Sequence, residues 1–186
     1  MKKLALLLLP LFASCSSSHH MRDMRVGTRS GQPGPDVSKV IIYRTKTPGA
    51  PFPIYGGENL VGYSESGSYF EILCEPGGHR FSSSSTWPSD AVVTADLAPG
   101  KTYYIESYVV GGGGCSVASP QLRPLTHENG QWAKIETKIN RLQSRELGPE
   151  NATVPARKPG EKLKRIEEGN MEMRIDAERL SREDGR

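Results

Sequence analysis

"LAPGKTYYIES", residues 97–107, contains Gly100-Lys101-Thr102, the triplet that closes a phosphate-binding P-loop. A P-loop also requires a glycine with four residues between it and the triplet, and that position is Ala95. It requires a helix next, because backbone N–H groups at a helix start cradle the phosphates. The residues after the triplet are instead Tyr103-Tyr104-Ile105-Glu106-Ser107-Tyr108-Val109-Val110. Aromatic and β-branched residues at that density predict a strand. Pro99-Gly100 fits the centre of a type II turn, with Pro setting φ and Gly taking the positive φ. The stretch is therefore a turn opening a strand, and nucleotide binding is not expected.

The neighbouring segments extend that reading. "SKVIIYR" (38–44), "NLVGYSE" (59–65), "SYFEILCE" (68–75), "HRFSSSST" (79–86) and "AVVTADL" (91–97) are short, β-prone and separated by turn residues. In 68–75, Phe70, Ile72 and Cys74 alternate with Tyr69, Glu71, Leu73 and Glu75, so the first set is expected to face the core. Val93, Ala95 and Leu97 are the inward set of 91–97. The fold class expected is mainly β, an antiparallel β-sandwich of six to seven strands over residues 37–125, followed by a charged α-helical tail.

Charge and aromatic content support that division. Residues 37–125 hold six Lys/Arg and seven Asp/Glu, whereas residues 134–186 hold 13 and 11. Eleven of the 13 aromatic residues lie between Tyr43 and Tyr108, so the middle can bury a core. After it, Trp132, Ile135, Ile139 and Leu142 recur at helical spacing and predict a packing helix within 126–147. Residues 148–186 are expected to be a charged, partly ordered helical tail. Within it, Leu163, Ile166, Asn170, Met173, Ala177 and Leu180 have heptad spacing, and a homo-oligomer through 161–183 would use that seam. Gly169 weakens it, and a solvated helix is the competing reading.

The first residues carry an export pattern. Met1-Lys2-Lys3 is basic, Leu4–Phe12 is apolar apart from Pro10, and Ala13-Ser14 precedes Cys15. The apolar run falls short of the about 20 residues of a bilayer span and fits a secretory signal over residues 1–14. Cys15 after two small residues resembles the lipobox of bacterial lipoproteins. That resemblance implies cleavage before Cys15, a diacylglycerol on its sulfur and an N-acyl chain. Ser16 after the cysteine then suggests the outer membrane, facing the periplasm. Residues 15–36 would be the lipidated cysteine and a flexible Gly/Ser/Pro tether.

Tyr43-Arg44, Leu60-Val61-Gly62, Gly67-Ser68-Tyr69-Phe70, Pro76-Gly77-Gly78-His79-Arg80-Phe81 and Pro99-Gly100-Lys101-Thr102-Tyr103-Tyr104 occur in that order. With the upstream cysteine, this resembles a family of small β-rich domains of unknown function in bacterial envelope lipoproteins. The resemblance covers residues 38–110 and implies a sandwich-like domain without established catalytic residues.

Removing residues 1–14 takes away two lysines and no acid, so the formal charge falls from +3 to +1. Strong attraction to nucleic acid is not implied. Cys74 and Cys115 remain; they form either a disulfide in an oxidising envelope or two separate buried thiols. The His and Cys spacings match no metal motif, and no cofactor is expected. His79 at a turn and His127 beside Glu128 are the candidate acid–base groups. Neither has a nucleophile elbow or triad spacing near it, and the Ser82–Ser85 run fits one polar strand face. An enzyme is not expected, and a hydrolase is the second alternative. Tyr55, Tyr63, Trp87 and Tyr108 are candidate binding aromatics, able to stack on glycan or peptidoglycan sugars if gathered on one surface. The function expected is a lipid-anchored structural or adaptor scaffold, with an envelope protein or the cell wall as partner.

Overall fold

The computed structural model describes residues 24–27, 29–83, 91–111, 119–126, 132–147 and 178–185. Among them are β1 (Met24–Val26), β2 (Ser38–Arg44), β3 (Phe52–Gly56), β4 (Asn59–Ser64), β5 (Ser68–Cys74) and β6 (Gly77–Ser83). They continue with β7 (Ala91–Leu97), β8 (Thr102–Val110), β9 (Ser119–Pro124), α1 (Trp132–Ile139), β10 (Gln143–Leu147) and β11 (Glu178–Leu180). One sheet has six strands in the order β1-β10-β5-β2-β8-β9; the other has five, β11-β7-β6-β3-β4.

The protein is mainly β, and both sheets are mixed. β2 runs parallel to β8, β10 parallel to β5, and β11 parallel to β7. This corrects the purely antiparallel expectation. Alternation reports which face of a strand is buried, and it looks the same in either direction. β2 explains its own sequence: all seven residues of "SKVIIYR" are buried, because it lies in mid-sheet with both faces covered.

One face of β2, β5 and β8 meets the five-stranded sheet. Val40, Ile42, Phe70, Tyr103 and Ile105 pack there with Ile54, Phe81, Val93, Ala95 and Leu97. The expected inward sets of β5 and β7 are the ones found. Gly62 lets the sheets approach: a Cβ there would stand 2.7 Å from Phe70 Cε2. The other face of the six-stranded sheet holds a second core. Ile135 and Ile139 of α1 lie against Ile41, Tyr43, Tyr69 and Tyr104, so these two members of the expected stripe pack as their spacing predicts. Gly100 has φ +71° and its N–H donates to the Val37 carbonyl at 2.8 Å; β8 starts two residues later.

Three boundaries differ from expectation. The helix expected within 126–147 spans only Trp132–Ile139. Arg141 and Leu142 then donate back three residues, to Lys138 and Ile139, and the polar QSREL segment pairs with β5 as β10. Its two neighbouring strands supply the pairing, and its composition gives no such signal. Within the expected 15–36 tether, β1 pairs antiparallel with β10, and Ser30 and Gly31 are fastened to the six-stranded sheet, so those parts are not free; residues 15–23 and 28 lie outside the described residues. The tail expected as helix ends as β11 and a 3₁₀ turn at Arg182–Asp184; residues 148–177 lie outside the described residues. Leu180 is fully buried in the main core, so the last position of the expected seam is used inside the domain.

Candidate functional site

Polar side chains converge on the outer face of each sheet. On the six-stranded sheet, a cavity of about 310 Å³ is lined by Arg29–Gln32, Lys39, Ile41, Thr102, Tyr104 and Glu136. Lys39 is 3 % exposed; its Nζ lies 3.6 Å from Glu71 Oε2 and donates to the carbonyls of Ser30, at 3.2 Å, and Gly31. Ser30 donates to Glu71 Oε2 through both its N–H and its hydroxyl. Above them Arg29 donates to Glu136, at 2.7 Å, and to Asn140, at 2.8 Å, and Tyr104 donates to Glu136 at 2.8 Å. The hydrogen bond that Arg29 donates to Glu136 raises the Arg29 pKa. Each charge here has an opposite partner. The cavity is a clasp that seats the N-terminal segment on the sheet.

The five-stranded sheet is different. Its outer face carries an open groove of about 630 Å³ lined by Gly78, His79, Arg80, Thr94, Ala95, Asp96 and Arg179. Register builds it. Arg80 of β6 lies opposite Thr94 of β7, and Arg179 of β11 lies beside the same Thr94. The three form one lateral row across three strands. In the next row Gly78 lies opposite Asp96, and a Cβ at Gly78 would meet nothing within 4 Å. Asp96 accepts from Arg182 Nε at 3.0 Å. Arg80 Nε is buried and has no hydrogen-bond partner, and among the described residues no carboxylate pairs with Arg80 or Arg179.

β11 is held by contacts distant in sequence. Leu180 enters the core. The Arg182 carbonyl accepts from Tyr103 Oη, at 3.2 Å, and Lys101 Nζ, at 3.3 Å. Gly185 fits where a Cβ would come within 2.6 Å of Tyr103 Cζ. Lys101 of the Gly-Lys-Thr triplet therefore secures the C-terminal segment.

Among the described residues, the candidate tyrosines are not gathered on one surface. Tyr55 on β3 and Tyr63 on β4 are buried, the latter in the main core. Burial also pushes the Tyr55 pKa up. Tyr108 is half-buried on the other sheet, with the Arg123 guanidinium carbon 5.2 Å from its ring centroid. Trp87 lies outside the described residues. Tyrosines make good β-strand residues for the same reason they make sugar platforms, so composition alone does not separate the two. His79 Nε2 lies 2.7 Å from the Glu75 carbonyl, so that nitrogen is engaged by backbone; His127 lies outside the described residues. Cys74 is a buried free thiol whose pKa burial pushes up to about 11. Cys115 and Cys15 lie outside the described residues. Among the described residues no group of three His, Cys, Asp or Glu is placed to hold a metal ion, and no helix is long and apolar enough to cross a membrane.

No family model, curated protein or solved structure matches the chain. The groove itself had no signature in the sequence. Arg80, Thr94 and Arg179 meet only through two strand registers.

Proposed function

We propose that the protein is a lipid-anchored bacterial envelope scaffold that works by binding. Acyl chains on Cys15 hold it in the outer membrane facing the periplasm, and its sheets present surfaces to an envelope protein or the cell wall. The observation that carries this reading is the short sequence separation between Cys15 and the first strand. β1 begins at Met24, and nine residues reach about 30 Å at most. A lipid on Cys15 would therefore keep the domain close to the bilayer surface, where a fixed adaptor is useful. Two or more acyl chains give the stable anchoring that a single chain does not.

Mass spectrometry of the N-terminal peptide from the cell-made protein tests it. The expected species begins at Cys15 and carries diacylglyceryl and N-acyl groups, and Cys15→Ser moves the chain from the membrane pellet to the soluble fraction. An unmodified Cys15 in a soluble chain would remove the anchor and this reading with it. In-cell crosslinking from exposed positions then identifies the partner.

A further inference from the structure

We infer that the groove on the outer face of the five-stranded sheet is a binding site for an oxyanion, either phosphate or carboxylate, completed by the C-terminal strand. The inference deepens the scaffold reading by giving the partner's chemistry, and it stands on geometry independent of Cys15.

Three observations converge. The first is the row Arg80–Thr94–Arg179. Adjacent strands are about 4.8 Å apart, so the two arginine backbones stand about 10 Å apart with a hydroxyl between them. Like charges in such a row repel unless an anion joins them. Two guanidinium forks and a hydroxyl supply a set of donors that suits a tetrahedral or planar oxyanion. The second is the charge balance. Among the described residues, the one carboxylate lining the groove, Asp96, is already paired with Arg182, and Arg80 and Arg179 have no carboxylate partner. Arg80 Nε is withdrawn from water with no acceptor. That contrasts with the opposite face, where Arg29 and Lys39 are each matched by a glutamate. The third is space. Thr94 is exposed, Gly78 has no side chain, and about 630 Å³ is open above them, enough for more than one anionic group.

Assembly gives the site a further property. Arg179 reaches the row only when β11 docks beside β7. An anion bridging Arg80 and Arg179 therefore binds only the docked form and stabilises it by mass action.

Isothermal titration calorimetry on the full chain at low salt tests this, with inorganic phosphate, pyrophosphate and a dicarboxylate as probes. Saturable one-to-one binding is expected for at least one of them. The best probe separates a phosphate-bearing from a carboxylate-bearing partner. Arg80→Gln and Arg179→Gln should each weaken binding about tenfold, the loss expected for a charge-assisted hydrogen bond. Arg29→Gln, on the opposite sheet, should leave binding unchanged. Arg179 is exposed, so its variant folds and decides the matter even where Arg80→Gln does not fold. Hydrogen exchange at residues 178–185 should slow when the anion is bound. Absence of saturable binding by all three probes would overturn the site, as would equal losses in Arg29→Gln or full binding by Arg179→Gln. That failure would leave the anchoring on Cys15 untouched.

Discussion

Leu180→Ala separates a strand from a helical seam at the C terminus. Leu180 is 0 % exposed and packs in the core between the sheets, although it lies on a three-residue strand at a sheet edge. Deleting a fully buried leucine side chain costs the transfer of its lost carbons plus the cavity left behind, about 3–4 kcal/mol at a site enclosed on all sides. Two opposing effects bear on that figure. An edge strand can relax into the void and lower the cost. Loosening β11 also weakens the Arg182 and Gly185 contacts and raises it. With a urea m-value of about 2 kcal/mol/M, a loss of 3–4 kcal/mol lowers the midpoint by about 1.5–2 M. Equilibrium urea unfolding, followed by tryptophan fluorescence and far-UV circular dichroism, reads it directly. A solvated helix or a weak seam gives a different number, less than about 1 kcal/mol for one leucine on a surface stripe. A midpoint shift below about 0.5 M with an unchanged m-value would refute the placement of Leu180 in the core.

Arg44 is 1 % exposed and donates to Thr47 Oγ1 and to the carbonyls of Pro48, Ala50 and Ser64, at 3.0–3.3 Å, so Arg44→Lys keeps the charge and loses the fork. It should cost about 3 kcal/mol in urea unfolding. Glu65, 4 % exposed, has its pKa raised by burial against a smaller opposing pull from Arg145. The folded state then holds that proton to higher pH than the unfolded chain, so stability is lost as pH rises from the unfolded carboxylate value through the raised folded one. Glu65→Gln should flatten stability over that window, and urea titrations at pH 4 and pH 7 measure the change. Cys74, with its thiol pushed up to about 11, should react with Ellman's reagent at pH 8 only on unfolding. Denatured chain truncated before residue 16 should then show two thiols, and a count of zero would establish the Cys74–Cys115 bond instead.

The strands were legible where local chemistry decides. β2, β5, β7 and β8 are marked by β-branched and aromatic residues, and the alternation in β5 and β7 names their buried faces correctly. α1 is marked by Ile135 and Ile139. β3 carries no such mark: Pro51, Pro53 and Gly56-Gly57 are turn-type residues, yet Phe52 and Ile54 reach the core. β10 and β11 are short and polar, and partners far away in the chain hold them. Their sequences carry no trace of that pairing. The same limit applies to the groove. Arg80 and Arg179 are ordinary surface residues until register aligns them with Thr94. Tyr55 and Tyr63 depart from expectation for the opposite reason, since their residue type suits a binding surface and the fold buries both.

The two ends of the described chain also act as guards. β1 and β11, three residues each, are outermost strands of their respective sheets. The other two margins are β9, interrupted by Pro120 and Pro124, and β4, whose register with β3 shifts at Ile54/Tyr55. Short, proline-bearing or irregular edges are poor templates for another chain's backbone. Behind β11 lies AVVTADL, seven residues long and rich in β-branched side chains. Proteolytic loss of the last nine residues would bare that edge and leave Leu180's place in the core empty. The clipped molecule would present that bared edge to another chain's backbone, an exposure that the docked β11 prevents.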